Sequence, residues 1–332
     1  MDTEHASPRY SDIDLWEPAD ILDAMIEGQL AAVAAVRAEL AAIEHAASSM
    51  EARLRRGGRL IYAGAGTSGR LAVQDGAELI PTFNWPAEKL LLLMAGGKDA
   101  LLRSAEGAED ETAQAARLIR QHRVAASDVL IAVAASGTTP FTLACLREAK
   151  QCGALTIGIA NNRGTPILQE ADFPIRLDTG AEPIAGSTRM KAGTAQRVTL
   201  NLLSSLVMIR LGRVHEGLMV DVQAINAKLV RRSESILRRL TGRSQEEVAD
   251  ALRRAEGSVK LAMLLLNGCN AEEAATILHE AGGRLRTALV NIGRRQESAL
   301  AEAAELGEED APAIAEEPPS ALRHGDEIKS RR

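Results

Sequence analysis

Short apolar runs alternate with helical segments between residues 60 and 177, and this alternation limits the fold more than any other feature of the sequence. A strand, a helix and a further strand in succession are typical of a parallel sheet covered by helices on both faces. We therefore predict an α/β fold in which helices flank a parallel sheet. The predicted strands span residues 60–63, 89–94, 128–134, 155–159 and 173–177. The predicted helices between them lie near residues 69–80, 111–122, 139–151 and 164–170.

The rest of the chain is predicted to be mainly helical. A long Ala-rich helical stretch begins at Pro18, a residue that suits the first turn of a helix, and we expect Gly28 to divide this stretch into two helices. Residues 190–240 also show a helical pattern. The predicted units are an N-terminal arm with helices (1–56), the sheet domain (57–240), a small all-α module (241–293) and a disordered acidic tail (294–332).

Composition and charge argue against several kinds of partner. The chain has a formal net charge of −6 and only 2% aromatic residues, unlike proteins that bind nucleic acids. The longest apolar runs, 90–95 and 261–266, are too short to span a bilayer, and the polar N-terminus does not resemble a signal peptide. Cys145, Cys152 and Cys269 form no CxxC pair. We expect a cytoplasmic protein with no nucleic-acid or membrane partner.

Two loops rich in glycine and hydroxyl groups follow predicted strands: GAGTSG at 64–69 and SGTTP at 136–140. Ligands bind to parallel sheets at the carboxyl ends of the strands, so both loops are candidate binding loops. The first has the glycines of a dinucleotide loop. However, residues 89–94 read KLLLLM and lack the acidic residue expected about twenty positions later. A Walker loop is also excluded, because Arg70 follows Gly69 where that loop has lysine.

The second loop has the chemistry of a phosphate-binding helix start. Pro140 suits the first helical position and Thr139 the N-cap, so free N–H groups and the positive end of the helix dipole would face a ligand. The loop contains no lysine, so hydroxyls and amides would hold a phosphate monoester. The alternative is that the loop only caps its helix, and the residues alone leave both interpretations open.

Five blocks between residues 59 and 229 carry a family resemblance. They are RLIYAGAGTSGRLAVQDGAELIPTF (59–83), AGGKDALLRSAEGAED (95–110), DVLIAVAASGTTP (128–140), GSTRMKAGTAQRVTLNLLS (186–204) and GLMVDVQAINAKL (217–229). In these blocks the chain resembles the N-acetylmuramic acid 6-phosphate etherases, which have the sugar isomerase (SIS) fold. The C-terminal helical module is similar to the small ubiquitin-associated-like domain of that family.

The resemblance implies a reaction and its substrate. D-lactate is removed from carbon 3 of N-acetylmuramic acid 6-phosphate, which leaves N-acetylglucosamine 6-phosphate, a step in the recycling of cell-wall amino sugars. An alkyl ether resists direct hydrolysis, whereas elimination needs one base at carbon 2 and one acid at the leaving oxygen. No cofactor is expected. No metal is expected either, since the six histidines are scattered without ligand spacing.

The resemblance also assigns roles to residues. Glu78 is the acid that protonates the lactate oxygen, and Glu109 is the base at carbon 2. Glu106 and Asp110 flank Glu109 and are second choices for the base. Without the resemblance, each carboxylate is most simply a solvated group on a helix surface. The residues expected to bind the phosphate and the sugar are Gly66, Thr67, Ser68, Gly69, Ser136, Gly137, Thr138 and Thr139.

A third cluster precedes the helix predicted from residue 190. Ser187, Arg189 and Lys191 either anchor the lactate carboxylate or the phosphate, or cap the helix. At Thr138 the family often has arginine, which makes one phosphate contact different here. The N-terminal arm keeps the Thr3-Glu4 pair of the family but then reads His-Ala-Ser-Pro.

The position of Glu78 predicts a site that two chains share. Glu78 lies about ten residues into the helix that we expect near Gly69, roughly 15 Å from the start of that helix. From there it need not reach a sugar whose phosphate lies at the SGTTP loop of the same chain. We therefore expect a homodimer with the site near its interface. Ala-rich helices such as 29–50 suit close packing between the subunits.

Three other functions compete with this interpretation. An aldose–ketose isomerase of the same fold also uses a base at carbon 2 but needs no acid at carbon 3. A non-catalytic sugar-phosphate sensor, like the glucokinase regulatory protein that shares this ancestry, needs neither group. A dinucleotide enzyme would rest on the GAGTSG glycines alone. The presence of both Glu78 and Glu109 favours the etherase.

Overall fold

A parallel five-stranded sheet forms the centre of the molecule. The computed structural model describes residues 1–103, 105–222 and 227–305. Its sheet has the strand order β2-β1-β3-β4-β5, and all neighbouring strands are parallel. The five strands predicted from the sequence are confirmed to within one residue at each end. They are β1 (Leu60–Gly64), β2 (Leu90–Met94), β3 (Val129–Val133), β4 (Leu155–Ala160) and β5 (Phe173–Arg176).

Helices cover both faces of this sheet. The α-helices of the described residues are α1 (Pro18–Ala38), α2 (Leu40–Arg55), α3 (Gly66–Phe83), α4 (Thr112–Gln121), α5 (Pro140–Gln151), α6 (Pro166–Glu170), α7 (Lys191–Arg210), α8 (Ala227–Thr241), α9 (Gln245–Arg254), α10 (Val259–Leu266), α11 (Ala271–Glu280) and α12 (Leu285–Glu305). One apolar cluster joins α1, α2, α3 and α7 to the sheet, and a second joins α4, α5 and α6 to the opposite face. Because β1, β3 and β4 are buried throughout, they read as continuous apolar runs.

The predicted division of the N-terminal helix at Gly28 is wrong. Helix α1 continues through Gly28 to Ala38, and the chain bends at Glu39 before α2 begins. Gly28 is a packing position: a Cβ atom there would lie 3.1 Å from Cδ of Lys191 on α7. Close approach of a neighbouring side chain therefore explains this glycine, and a helix end does not.

The helical prediction for residues 190–240 is also corrected. Helix α7 ends at Arg210, and a short antiparallel hairpin follows, formed by β6 (Val214–His215) and β7 (Leu218–Met219). The two residues of its turn, Glu216 and Gly217, have φ angles of 50° and 74°. Positive φ at both central positions is the geometry that favours a tight hairpin between twisted strands.

The C-terminal helices form an apolar cluster of their own. It includes Val248 on α9, Leu264 on α10 and Ile277 on α11, together with Ile236 and Leu237 on α8. Capping boxes at Ser244–Glu247 and Asn270–Glu273 begin α9 and α11. The module boundary at residue 241 stays a prediction.

The predicted acidic tail overlaps α12. This helix continues to Glu305, and residues 285–305 are rich in alanine and glutamate, which have good helix propensity. Residues 306–332 lie outside the described part of the chain, so the tail stays a prediction. None of the helices in the described ranges is both long enough and apolar enough to cross a membrane.

Candidate functional site

The first glycine-rich loop is the tight start of helix α3 at the carboxyl edge of the sheet. The helix begins at Gly66, three residues earlier than predicted, so Gly66, Thr67, Ser68 and Gly69 form its first turn. A Cβ atom on Gly69 would lie 2.7 Å from the backbone carbonyl of Gly64 in β1, so only glycine lets the helix approach the strands this closely. The N–H of Gly69 donates to the carbonyl oxygen of Ala65 at 2.9 Å. N–H groups earlier in a first helical turn have no partner within the helix and can bind an anion.

The SGTTP loop lies beside the first loop. Strands β1 and β3 are neighbours, and Gly64 pairs with Val133 at their carboxyl ends. The loop places the hydroxyl groups of Ser136 and Thr139 close together. Oγ of Ser136 lies 3.1 Å from Oγ1 of Thr139 and accepts a hydrogen bond of 3.2 Å from the backbone N–H of Thr138.

The local geometry of the second loop explains why its hydroxyls are available. Thr139 occupies the N-cap position of α5, as predicted, but its side chain makes no capping hydrogen bond. Gly137 has a φ of 70°, and a Cβ there would lie 2.1 Å from Oγ1 of Thr165, so the loop is packed tightly against the segment that follows β4. The arrangement leaves the first-turn N–H groups of α5 and the hydroxyls of Ser136 and Thr139 as candidate ligands for an anion.

A cavity of about 230 Å³ connects the first loop to the predicted base. Glu109 and Glu106 both line it, whereas Asp110 does not. Glu109 belongs to a short 3-10 turn, Ala108–Asp110. The other lining residues are Ala65, Gly66, Arg70, Met94, Ala95, Ala100, Ala105, Gly107 and Ala108. The fold thus brings the predicted base and the first loop to one cavity.

Arg70 is a cavity residue to which the sequence analysis assigned no role. Its Nε donates hydrogen bonds to the carbonyl oxygens of Ala100 (3.1 Å) and Leu101 (3.2 Å). It thereby ties helix α3 to the segment that leads to Glu109. Its place directly after the GAGTSG loop was visible in the sequence, but its partners about thirty residues away were not.

Of the predicted site residues, only Gly66 and Glu109 line this cavity. Glu78 lies twelve residues after the start of α3, about 18 Å along the helix, and its side chain is exposed. Thr138 is exposed and lines a different cavity, of about 550 Å³, between α4 and α5. Within a single chain, Glu78 therefore does not share the cavity that Glu109 lines.

The Ser187–Lys191 segment is organised by a buried carboxylate. Glu182 is 1% exposed, and its oxygens accept hydrogen bonds from the backbone N–H groups of Lys191 (2.9 Å) and Ala192 (2.8 Å) at the start of α7. Nζ of Lys191 donates to the carbonyl oxygen of Thr179 at 2.8 Å. Burial lowers the pKa of Lys191, while the nearby Glu182 opposes the shift. These contacts favour the capping interpretation for Lys191.

Ser187 and Arg189 keep the other interpretation open. Ser187 is half-buried and Arg189 is exposed, so both can still meet a ligand. Sequence reasoning missed Glu182, which lies nine residues before the N–H group that it caps, because that spacing matches no helical capping pattern. In the described ranges, no three His, Cys, Asp or Glu side chains are grouped so that they could hold a metal ion.

Comparison with known families defines the class of protein. The model of the glucokinase regulatory protein N-terminal SIS domain matches residues 41–150, and the SIS domain model matches residues 111–206. Together with the parallel sheet and its covering helices, these matches show that the chain is a SIS-domain protein. A solved phosphoheptose isomerase from Francisella tularensis is 18% identical, with a TM-score of 0.46 over 59% of this chain and 100% of that one.

Curated relatives identify the family more narrowly. A protein from Deinococcus radiodurans is 48% identical over 86% of this chain and 94% of its own length. Relatives from Geobacillus thermodenitrificans (44% identical, 86% of this chain and 98% of theirs) and Streptomyces avermitilis (42%, 89% and 95%) follow. All three are named N-acetylmuramic acid 6-phosphate etherase. The chain belongs to the N-acetylmuramic acid 6-phosphate etherase family, which confirms the resemblance seen in the sequence.

Proposed function

We propose that this protein is a carbon–oxygen lyase that cleaves the D-lactyl ether of N-acetylmuramic acid 6-phosphate. The products are N-acetylglucosamine 6-phosphate and D-lactate, and the reaction serves the recycling of cell-wall amino sugars. Family membership supports this substrate. The observation that carries the proposal is the cavity that Glu109 shares with Gly66 of the first loop. The names of the relatives do not favour the isomerase or sensor alternatives.

Elimination followed by hydration is the chemistry that these residues suit. In the open-chain sugar, the aldehyde at carbon 1 acidifies the proton on carbon 2. A base removes that proton, the carbon–oxygen bond at carbon 3 breaks, and an acid protonates the departing lactate oxygen. Water then adds to the resulting double bond. The scheme requires one basic group near carbon 2 and one acidic group near the departing oxygen on carbon 3.

Glu109 is our candidate for the base. It lines the cavity next to the first turn of α3, where an oxygen-rich sugar could be held by backbone N–H groups. Glu106 lines the same cavity and is the remaining alternative, whereas Asp110 does not face this space.

The SGTTP loop is our candidate for the phosphate site. The hydroxyls of Ser136 and Thr139 stand together at the N-terminus of α5, a helix of 12 residues whose dipole favours a dianion. In the first loop, Ser68 and Thr67 would contribute further contacts to the phosphate or the sugar. Gly137 allows the tight turn that brings these groups together. Thr138 is exposed, and it occupies a position at which the family often has arginine.

Glu78 is our candidate for the acid, and we propose that a second copy of the chain brings it to the site. Its side chain is exposed on α3 and does not line the cavity of its own chain. A twofold homodimer would supply a carboxylate from the partner and would bury it. Such burial is what an acid that must hold its proton requires.

Helix α1 offers the surface for this homodimer. Four large apolar side chains on it are between 46% and 67% exposed, and their spacing places them on one face of the helix. The opposite face, which includes Gly28, Ala32 and Val36, is buried in the molecule. The exposed residues are Leu22, Ile26, Leu30 and Val33.

We also propose that the protein acts in the cytoplasm. Cys145, Cys152 and Cys269 are free thiols, as expected in a reducing compartment.

A lactate assay tests the proposed function. Purified protein is incubated with N-acetylmuramic acid 6-phosphate and, separately, with the unphosphorylated sugar. We expect D-lactate and N-acetylglucosamine 6-phosphate in equal amounts from the first and much slower release from the second. Binding of the sugar phosphate without release of lactate would contradict the lyase and favour a sensor.

A further inference from the structure

The first residues of the chain lie at the same edge of the sheet as the two loops. Thr3 is fully buried although it is the third residue of the chain. Its backbone N–H donates to Oδ1 of Asn162 (3.2 Å), and Nδ2 of Asn162 donates to Oγ1 of Thr3 (2.9 Å). Asn162 is 1% exposed and lies just after β4. The two residues therefore form a buried, doubly hydrogen-bonded pair across 159 positions of sequence.

This pair is connected to the phosphate loop. Nδ2 of Asn162 also donates to the carbonyl oxygen of Ala135 at 2.9 Å, and Ala135 directly precedes Ser136. Asn162 thus uses one amide group to hold the N-terminal arm and the start of the SGTTP loop together. Gly137 of the loop packs against Thr165. The Thr165 hydroxyl in turn donates to the carbonyl oxygen of Asn162 at 3.3 Å.

The arm is connected to the third cluster as well. The backbone N–H of Gly186 donates to the carbonyl oxygen of Thr3 at 3.1 Å, and Gly186 directly precedes Ser187. An oxygen of the Glu4 carboxylate lies 2.9 Å from the place where a Cβ atom of Gly186 would be. Gly186, which has a φ of 75°, therefore allows the Glu4 side chain of the arm to pack closely against this turn. Thr3 is thus hydrogen-bonded to Gly186, which precedes Ser187, and to Asn162, which holds the start of the SGTTP loop.

We propose that Thr3 and Asn162 are positioning residues for sugar-phosphate binding. The arm fixes the Ser136 loop relative to the Ser187 turn before the ligand arrives, so that binding does not have to order these segments. This inference rests on the proposed function, because it takes the Ser136 loop as the phosphate site. It extends that function by making the N-terminal arm a part of the binding site.

A pair of substitutions at Thr3 separates positioning from packing. Thr3→Val keeps the shape of the side chain but removes the acceptor for Asn162, whereas Thr3→Ser keeps the hydroxyl and loses a methyl group. The probe is N-acetylglucosamine 6-phosphate, measured by calorimetry. We expect Thr3→Val to raise its Kd about 5- to 10-fold and to raise KM for the etherase reaction by a similar factor, with kcat within about twofold. Thr3→Ser should restore most of the affinity.

A control in the same arm is Ser11→Ala. The Ser11 hydroxyl donates only to the carbonyl oxygen of Pro8, within the arm, so its loss should change neither Kd nor KM. Thermal unfolding of all variants is measured in parallel. The inference is wrong if Thr3→Ser weakens binding as much as Thr3→Val does, or if both lower the melting temperature while Kd stays at the wild-type value.

The outcomes also distinguish the two proposals. If Thr3→Val weakens binding but the wild-type protein releases no lactate, the positioning role stands and the lyase proposal fails. If the protein releases lactate but Thr3→Val leaves KM unchanged, the lyase proposal stands and the positioning role fails. A wild-type protein that neither binds N-acetylglucosamine 6-phosphate nor releases lactate from N-acetylmuramic acid 6-phosphate would overturn both.

Discussion

At the scale of single residues, buried polar groups tie the strands together at the edge opposite the site. Asp128 lies just before β3, and both its oxygens accept hydrogen bonds from the Arg59 side chain (2.6 and 3.2 Å) just before β1. The Asp128 carboxylate also accepts from the backbone N–H groups of Arg59 and Ala125. Burial alone would raise the pKa of Asp128, but these bonds and the guanidinium charge outweigh it and hold the pKa below its usual value.

The Asp128→Asn variant should therefore lose stability in a pH-dependent way. At pH 7 we expect its free energy of unfolding to fall by about 2 kcal/mol, because charge-assisted hydrogen bonds are lost. The folded-state pKa of Asp128 is depressed. The wild-type advantage is thus complete above the ordinary Asp pKa of about 3.9, and it disappears as the pH falls through the folded-state value. Urea unfolding of both proteins between pH 7 and pH 3 measures this gap. A gap that widens toward low pH would contradict the assignment.

Also at the residue scale, Ser136 should matter for binding rather than for folding. Its hydroxyl is half-buried, accepts one bond from the backbone N–H of Thr138 and faces Thr139. We expect Ser136→Ala to weaken binding of N-acetylglucosamine 6-phosphate by about fivefold or more, since one hydrogen bond to a dianion is lost. Binding of unphosphorylated N-acetylglucosamine serves as the control. An equal loss of affinity for both sugars would contradict the assignment of this loop as the phosphate site.

At the scale of elements, helix α1 carries the surface that we propose as the interface between two subunits. Its buried face packs small residues against α7, and its other face exposes four large apolar side chains. The sequence analysis placed the subunit contact on the Ala-rich stretch 29–50 because small residues allow close approach. In the structure, the exposed apolar face of α1 includes Leu30 and Val33 from that stretch and extends to Ile26 and Leu22 before it.

Charges on this face should therefore abolish the activity. In the Ile26→Glu/Leu30→Glu double variant we expect a monomer by light scattering and a loss of lactate release of about 100-fold or more, because the partner's acid is removed. Circular dichroism should stay unchanged. Ala31→Glu is a matched control, since Ala31 is exposed on α1 but lies off the apolar face. A monomeric variant with full activity would refute the shared site.

At the scale of the whole molecule, the sequence predicted what short-range patterns encode. The five strands were recognisable because buried parallel strands are continuous apolar runs, and the loop at 136–140 because proline and threonine mark a helix start. The order β2-β1-β3-β4-β5, which sets the two loops side by side, depends on pairing between distant segments and was not predicted. The error at Gly28 has the same origin: Lys191, which fills the space beside it, is 163 positions away.

The site was predictable only in part for the same reason. Glu109 and Gly66 of the first loop were both named as site residues from the sequence, and they line one cavity. Arg70, Glu182 and the Thr3–Asn162 pair make contacts that no local pattern shows. The hairpin of β6 and β7 was missed because strands of two residues carry no periodicity. Long-range packing decided each of these features.

The division of roles between Glu109 and Glu78 is the central claim, and solvent exchange tests it most directly. Wild-type, Glu109→Gln and Glu78→Gln proteins are incubated with N-acetylmuramic acid 6-phosphate in deuterated water. Lactate release and deuterium at carbon 2 of the recovered substrate are then measured together. Loss of one proton-transfer group typically slows a reaction 10²- to 10⁴-fold, or about 3–5 kcal/mol of barrier. We expect Glu109→Gln to lose both lactate release and exchange, and Glu78→Gln to lose lactate release while exchange survives. Near-normal lactate release by either variant would contradict the account.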